Sequence, residues 1–233
     1  MNRMSSPALF ETAYNRSDCE IGIVHLGFGA FHRAHQALYV DDYMDQTGDL
    51  RWGIAAVNLR AAESPSFAPL KEAQHGYVLK SMSGSGEIDF RRVRSHVKFS
   101  DWADNAEEAE ELLARPSVHM VTITVTESGY YMDETGALNS EDPTIAAELG
   151  GGAPCTIYAY LTRALARRKA AGLGGISILC CDNIRRNGKM LQRNLFAYLN
   201  LIGAEDLLEW VRAWVNFPCS MVDRLTPRPT ETM

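Results

Sequence analysis

Residues 21–26 read IGIVHL, a short apolar run rich in β-branched side chains that breaks at once into Gly27-Phe28-Gly29. Such a run is the right length for one buried strand, and glycine is the residue that lets a chain leave a strand in a tight turn. After the turn, Ala34, Ala37, Leu38, Val40 and Met44 approximate helical spacing over residues 33–44. Residues 52–59 (WGIAAVNL) then supply a second strand. Strand, glycine turn, helix, strand with connections this short fits a parallel sheet with right-handed crossovers, and so an α/β fold.

The same signals recur along the chain. Residues 77–99 carry two β runs, YVLKSM and IDFRRVRSHVKF, around the turn SGSGE, which predicts an antiparallel hairpin inserted on the parallel sheet. Asp101 is placed to cap a helix through residues 105–114, whose acidic residues read as a solvated face, and Pro116 stops it. Residues 118–125 (VHMVTITV) are the most β-branched segment and predict a central strand. A helix over residues 156–171 has a basic tail, Arg167-Arg168-Lys169, and is stopped by Gly172, Gly174 and Gly175. Residues 176–180 (ISILC) form the next strand, and residues 189–201 and 205–214 two amphipathic helices. With no internal repeat and no long linker, the pattern predicts one doubly wound α/β domain.

Composition removes several function classes. The 23 Lys and Arg against 29 Asp and Glu leave a net charge of −6, unsuited to holding nucleic acid on a basic surface. No apolar run reaches the length of a membrane span, and the first residues, MNRMSS, lack the apolar core of an export signal. Five cysteines without a Cys-x-x-Cys pair suit free thiols in a reducing compartment, so a cytoplasmic location is expected. The histidines form no metal-ligand spacing, and none is expected to bind a metal.

In open parallel sheets, ligands bind beyond the carboxyl ends of strands. Gly27-Phe28-Gly29-Ala30-Phe31-His32 supplies the first two glycines of a dinucleotide-binding turn, with His32 in place of the third. The glycines equally suit a turn that binds nothing. Asn58 to Glu63 follow the second strand. There Glu63 is the candidate for ribose hydroxyls, which favours NAD, while Arg60 complicates the choice because a cation could accommodate the 2′-phosphate of NADP. Asn183 could hydrogen-bond a substrate oxygen, or Asp182-Asn183 could simply cap the next helix. Glu127, beside Thr126, could move a proton or serve as an ion-pair partner.

Four ordered stretches, HLGFGAFHRAHQALY (25–39), TVTESGYY (124–131), CDNIRRNG (181–188) and FPCSMVDRLTP (217–227), resemble the N-terminal domain of the long-chain polyol dehydrogenases. That family includes D-arabinitol 4-dehydrogenase, which the forms TESGYY and CTIYAYL (155–161) resemble most, then mannitol 2-dehydrogenase and fructuronate (mannonate) reductase. The resemblance implies a Rossmann-like doubly wound domain over residues 21–222, an N-terminal arm over residues 1–20, and in residues 223–233 the start of a connection to a helical substrate domain. It also implies metal-free, NAD-linked oxidation of a secondary alcohol in a linear polyol to a ketose. Gly27, Phe28, Gly29, Ala30, Phe31, Asn58, Arg60, Glu63 and Thr126 would then lie along the cofactor. Asn183 would contribute to the substrate oxyanion site, with Glu127 and Asp223 near the cleft.

The family continues for about as long again in a second domain that carries its general-base lysine in a Lys-x-x-x-x-Asn-x-x-His motif. Lys189 and Asn194 mimic the start of that motif, but Ala197 stands where its histidine would be, and they read as ordinary helix residues. The expectation is a chain that binds NAD and does not turn over polyol efficiently without the missing half, supplied in cis or by a partner chain. A fructuronate oxidoreductase and a non-catalytic nucleotide-binding module are the alternatives.

Overall fold

A computed structural model describes residues 8–72, 76–222 and 226. The main sheet holds β2 (Ile21–Leu26), β3 (Gly53–Asn58), β6 (His96–Asp101), β7 (Met120–Ile123), β8 (Ile176–Cys180) and β9 (Val215–Asn216), in the order β6-β3-β2-β7-β8-β9. Every pairing in it is parallel. A second sheet is built from β1 (Leu9–Glu11), β4 (Tyr77–Met82) and β5 (Ile88–Val93), with β5 in the middle. The stretch expected as an N-terminal arm thus contributes a strand, parallel to β5.

Helices fill the crossovers: α1 (Ala30–Ala34), α2 (Gln36–Thr47), α3 (Ser64–Glu72), α4 (Ala106–Glu111), α5 (Pro143–Leu149), α6 (Ile157–Ala170), α7 (Asn187–Leu201) and α8 (Glu205–Trp214). None of the described helices is long and apolar enough to cross a membrane. The strands β2 and β3 are almost wholly buried, which is why they read as continuous apolar runs instead of alternating ones. The largest core cluster joins Val24, Leu26, Val121, Ile123 and Ile178 of the sheet to α6, α7 and α8. Thr156 caps α6 through a bond from Ala159 N, and Gly172 follows it in the left-handed region, so local signals set both ends of that helix.

Four sequence expectations are corrected. The run 88–99 is not one strand: β5 ends at Val93, and β6 crosses into the main sheet beside β3. The switch is made at Arg94 and Ser95, whose N–H and hydroxyl bond Asp41 and Ala37 of α2, contacts that no local pattern reveals. Asp101 does not cap α4; it closes the end of β6, accepting from Asn58 Nδ2 at 3.2 Å, while Asn105 takes the cap. Glu110 on the acidic helix is buried, accepting from Trp102 Nε1 and from Arg163 and Arg167 of α6. The helix expected over 33–44 starts earlier and breaks at His35 (φ −124°, ψ −85°), which turns both His32 and Gln36 toward the sheet.

Candidate functional site

The strand order places a switch point between β2, from which the chain first moves toward β6, and β7, from which it moves the other way toward β9. Chain connections diverge there and leave a crevice at the carboxyl ends of the strands. A crevice of about 270 Å³ does open at that point, lined by Gly29, Ala30 and Phe31 after β2, Thr124, Val125 and Thr126 after β7, and Cys181, Asp182 and Asn183 after β8. Three of the segments singled out from sequence therefore meet in space.

The two glycines of the turn do different work. Gly27 has φ +103°, and a Cβ there would lie 3.0 Å from the Thr124 carbonyl oxygen, so its requirement is local and structural. Gly29 has an ordinary φ of −67° and nothing within 4 Å of where a Cβ would stand. Neither backbone strain nor packing demands glycine at Gly29. Its bare backbone faces the open crevice, which is the space a phosphate group needs to approach backbone N–H groups closely.

Phe28 points elsewhere: its ring packs against Phe67, Tyr77, His96 and Phe99. Asn58 is buried and committed to the turn after β3, donating to Arg60 O, Ser64 Oγ and Asp101 Oδ1. Arg60 and Glu63 lie exposed just beyond it and pair with each other at 3.2 Å. Thr126 sits at the crevice wall with its hydroxyl 2.9 Å from Ser128 Oγ. Glu127 is exposed and lines a neighbouring cavity of about 780 Å³ shared with Lys189 and Arg193. Asn194 is buried and donates to Gly136 O at 3.2 Å, with no hydrogen bond to Lys189 among the described residues. Asp223 lies outside the described residues.

Asn183 is exposed at the crevice, and its side chain makes no hydrogen bond among the described residues. Asp182 is engaged instead. It accepts from Ile184 N at 3.0 Å, from Asn187 Nδ2 at 3.2 Å, and from the buried Tyr130 hydroxyl, whose ionisation burial and the nearby Asp182 charge push well up. Asp182 thus forms a tight turn, and the helix-capping alternative is not realised: α7 starts after Arg186 with no side-chain cap.

The residue that sequence reasoning passed over is Asn187. Fully buried, it donates to Cys180 O, Asp182 O, Asp182 Oδ1 and Ser220 Oγ, and accepts from Gly188 N and Ser220 N. It ties the end of β8, the Asp182 turn and the 217–220 segment into one unit. The Asn-Gly pair inside CDNIRRNG was its only local signal. An apolar hollow of about 510 Å³, lined in part by Ile23, Tyr39, Val40 and Trp52, adjoins the crevice and shares Phe31, Cys181 and Val222 with it.

Strand order, glycine turn and crevice together define a Rossmann-type α/β protein. A profile of the mannitol dehydrogenase Rossmann domain matches residues 21–233, and the chain belongs to that family. Mannitol 2-dehydrogenase of Pyrenophora tritici-repentis is 38% identical over 94% of this chain and 39% of its own length. D-arabinitol 4-dehydrogenase of Klebsiella pneumoniae is 36% identical over 88% of this chain and 45% of its own. The structure of Pseudomonas fluorescens mannitol 2-dehydrogenase in ternary complex with NAD and D-mannitol superimposes with a TM-score of 0.89 at 33% identity, covering 97% of this chain and 46% of that one. The chain therefore spans less than half the length of these relatives, and identities this close do not separate the two polyols.

Proposed function

We propose that this chain is the cofactor-binding part of a cytoplasmic, NAD-dependent polyol dehydrogenase that oxidises a secondary alcohol of D-arabinitol or D-mannitol to a ketose. The observation that carries the reading is the unexplained openness at Gly29: a glycine with ordinary φ and empty space before it, at the switch point of a Rossmann sheet. The similarity to an NAD complex of mannitol 2-dehydrogenase supports it.

NAD, when bound, supplies the hydride acceptor. Gly29, Ala30 and Phe31 would line its phosphates, with Thr126 on the opposite wall. Glu63 would accept from ribose hydroxyls, and its pairing with Arg60 would disfavour that cation's use by a 2′-phosphate. Asn183 has its amide free to donate to the substrate oxygen as negative charge develops there. Glu127 at the neighbouring cavity could exchange a proton with solvent. The general-base lysine and most substrate contacts would come from the half that the relatives possess beyond the matched length, in cis or on a partner chain, docked over the apolar hollow beside the crevice. Unaided turnover of polyol by this chain is accordingly expected to be slow.

The test is calorimetric titration of NAD and NADP into the chain and into Gly29→Leu. A Cβ at Gly29 meets no backbone strain and no neighbour within 4 Å, and the rest of a leucine side chain would extend into the crevice region, so the thermal midpoint should stay within about 2 °C of the parent, by the usual relation between small free-energy changes and midpoint. NAD affinity should fall at least tenfold. No saturable NAD binding by the parent, or equal binding by Gly29→Leu, defeats the proposal. A companion variant, Glu63→Ala, should release Arg60 and raise NADP affinity relative to NAD; an unchanged ratio removes Glu63 from the cofactor site.

A further inference from the structure

Beneath the glycine turn lies a cluster that the proposed function does not use. His25 on β2 and His32 on α1 are fully buried, with ring centroids 3.3 Å apart and planes within 10°. His32 Nε2 meets His96 Nε2 at 2.8 Å. With the Gln36 amide oxygen facing Thr122 and His32, the hydrogen-bond partners assign the protons. Thr122 donates its hydroxyl proton to Gln36 Oε1, so His25 Nδ1 must donate to Thr122 Oγ1, and His25 Nε2 accepts from Thr124 at the crevice wall. His32 Nδ1 donates to the same Gln36 oxygen, its Nε2 accepts from His96 Nε2–H, and His96 Nδ1 is left without a partner. All three rings are neutral, in keeping with burial that pushes their protonation far down, for His32 to about 3.

We propose that the His25–His32 stack positions the cofactor-binding turn, taking the place of the third glycine in the dinucleotide-binding pattern. In that pattern the third glycine permits close packing of helix on strand. Here position three is His32, and it is the only buried residue of α1. A five-residue helix cannot hold its own direction, so that direction is set by tertiary contacts: the buried His32 ring, with the Tyr77 hydroxyl donating to Arg33 O at the far end. His25 precedes Gly27 by two residues and His32 follows Gly29 by three, so the rings bracket the turn from below. Thr124 lies beside Gly27, where an added Cβ would stand 3.0 Å from its carbonyl oxygen, and its hydroxyl bonds His25. The backbone from Gly29 to Phe31 is thereby held at one angle to the crevice.

The inference rests on the NAD reading, and the experiment separates the two. NAD is titrated calorimetrically into the parent chain, His32→Phe and His32→Asn, with thermal midpoints measured on the same samples. Phenylalanine keeps a flat ring and loses the hydrogen bonds; asparagine keeps a polar group toward Gln36 and loses the ring. A positioning stack predicts NAD affinity within threefold of the parent for His32→Phe and at least tenfold weaker for His32→Asn. Affinities that follow the thermal midpoints instead, or that are equal in the two variants, overturn it. Ring-nitrogen NMR of the parent provides a readout that needs no variant. Saturation with NAD should shift the His25 and His32 signals and leave that of exposed His119 unmoved; unmoved His25 and His32 signals overturn the proposal. No NAD binding by the parent removes the cofactor reading and this inference with it.

Discussion

Lowering the pH from 7.5 to 5.0 should remove about 6 kcal/mol of unfolding free energy, roughly 2 from each of His25, His32 and His96. In the folded chain each is buried and has its pKa lowered, chiefly by desolvation. In the unfolded chain each titrates near the ordinary value of about 6.5. Below that value the unfolded state binds more protons than the folded one, so stability is fully present above it and is lost as the pH falls. A loss of about 6 kcal/mol is comparable to the whole stability of many domains. Glu108 and Glu110, whose pKa values are lowered, add to the loss only at still lower pH, whereas Asp41, raised by burial, works in the opposite sense. Urea titrations at pH 7.5 and 5.0, read by tryptophan fluorescence, give the answer directly. His96→Leu should remove about a third of the difference, and coincident midpoints at the two pH values would show that the rings are not held neutral.

Asn187→Ala should destabilise the fold by about 3–5 kcal/mol, since orphaned buried polar groups cost roughly 1–3 kcal/mol each. The variant leaves Gly188 N and Ser220 N without their acceptor and takes donors from Cys180 O and Asp182. Arg186, next to it, sits in the left-handed region at φ +57°, a conformation that costs about 1–2 kcal/mol for a residue with a Cβ. The close approach of α7 to the 217–218 segment adds to the constraint: a Cβ on Gly188 would lie 2.3 Å from Pro218 O. Because the Asp182 turn carries Asn183, the same substitution should loosen the crevice. The urea midpoint measures the first effect, and a loss below about 1 kcal/mol would mean that water replaces Asn187 without penalty.

The alternating strands and helices were legible because their signals are local. β2, β8 and α8 have the bounds read from periodicity, and α6 differs from its reading only at the capping residues. Helices α3 and α5 were not legible: α3 contains Pro69, and α5 is a short segment between loops. The change of sheet at Arg94 and Ser95 depends on α2, distant in sequence, so the alternation of residues 88–99 carried no trace of it. At the site, position along the strands singled out Gly29, Thr126 and Asn183, which the structure places along one crevice. It could not tell that Asn58 is consumed by its own turn or that Phe28 faces the core. The histidines, each unremarkable alone, acquire meaning only when β2, α1 and β6 bring them together.

The strand β1 pairs with β5 across a separation of 81 residues, seen also in the ion pair of Glu11 and Arg92, and it lies ahead of the segment that the family profile matches. Closing so long a loop requires most of the intervening chain to be in place before the pairing is rewarded. The first strand among the described residues should therefore be among the last to settle during folding. Until it does, β5 presents a bare edge, the kind of surface on which another chain can nucleate aggregation. Trimming the polypeptide to start at the family boundary would make that transient edge permanent.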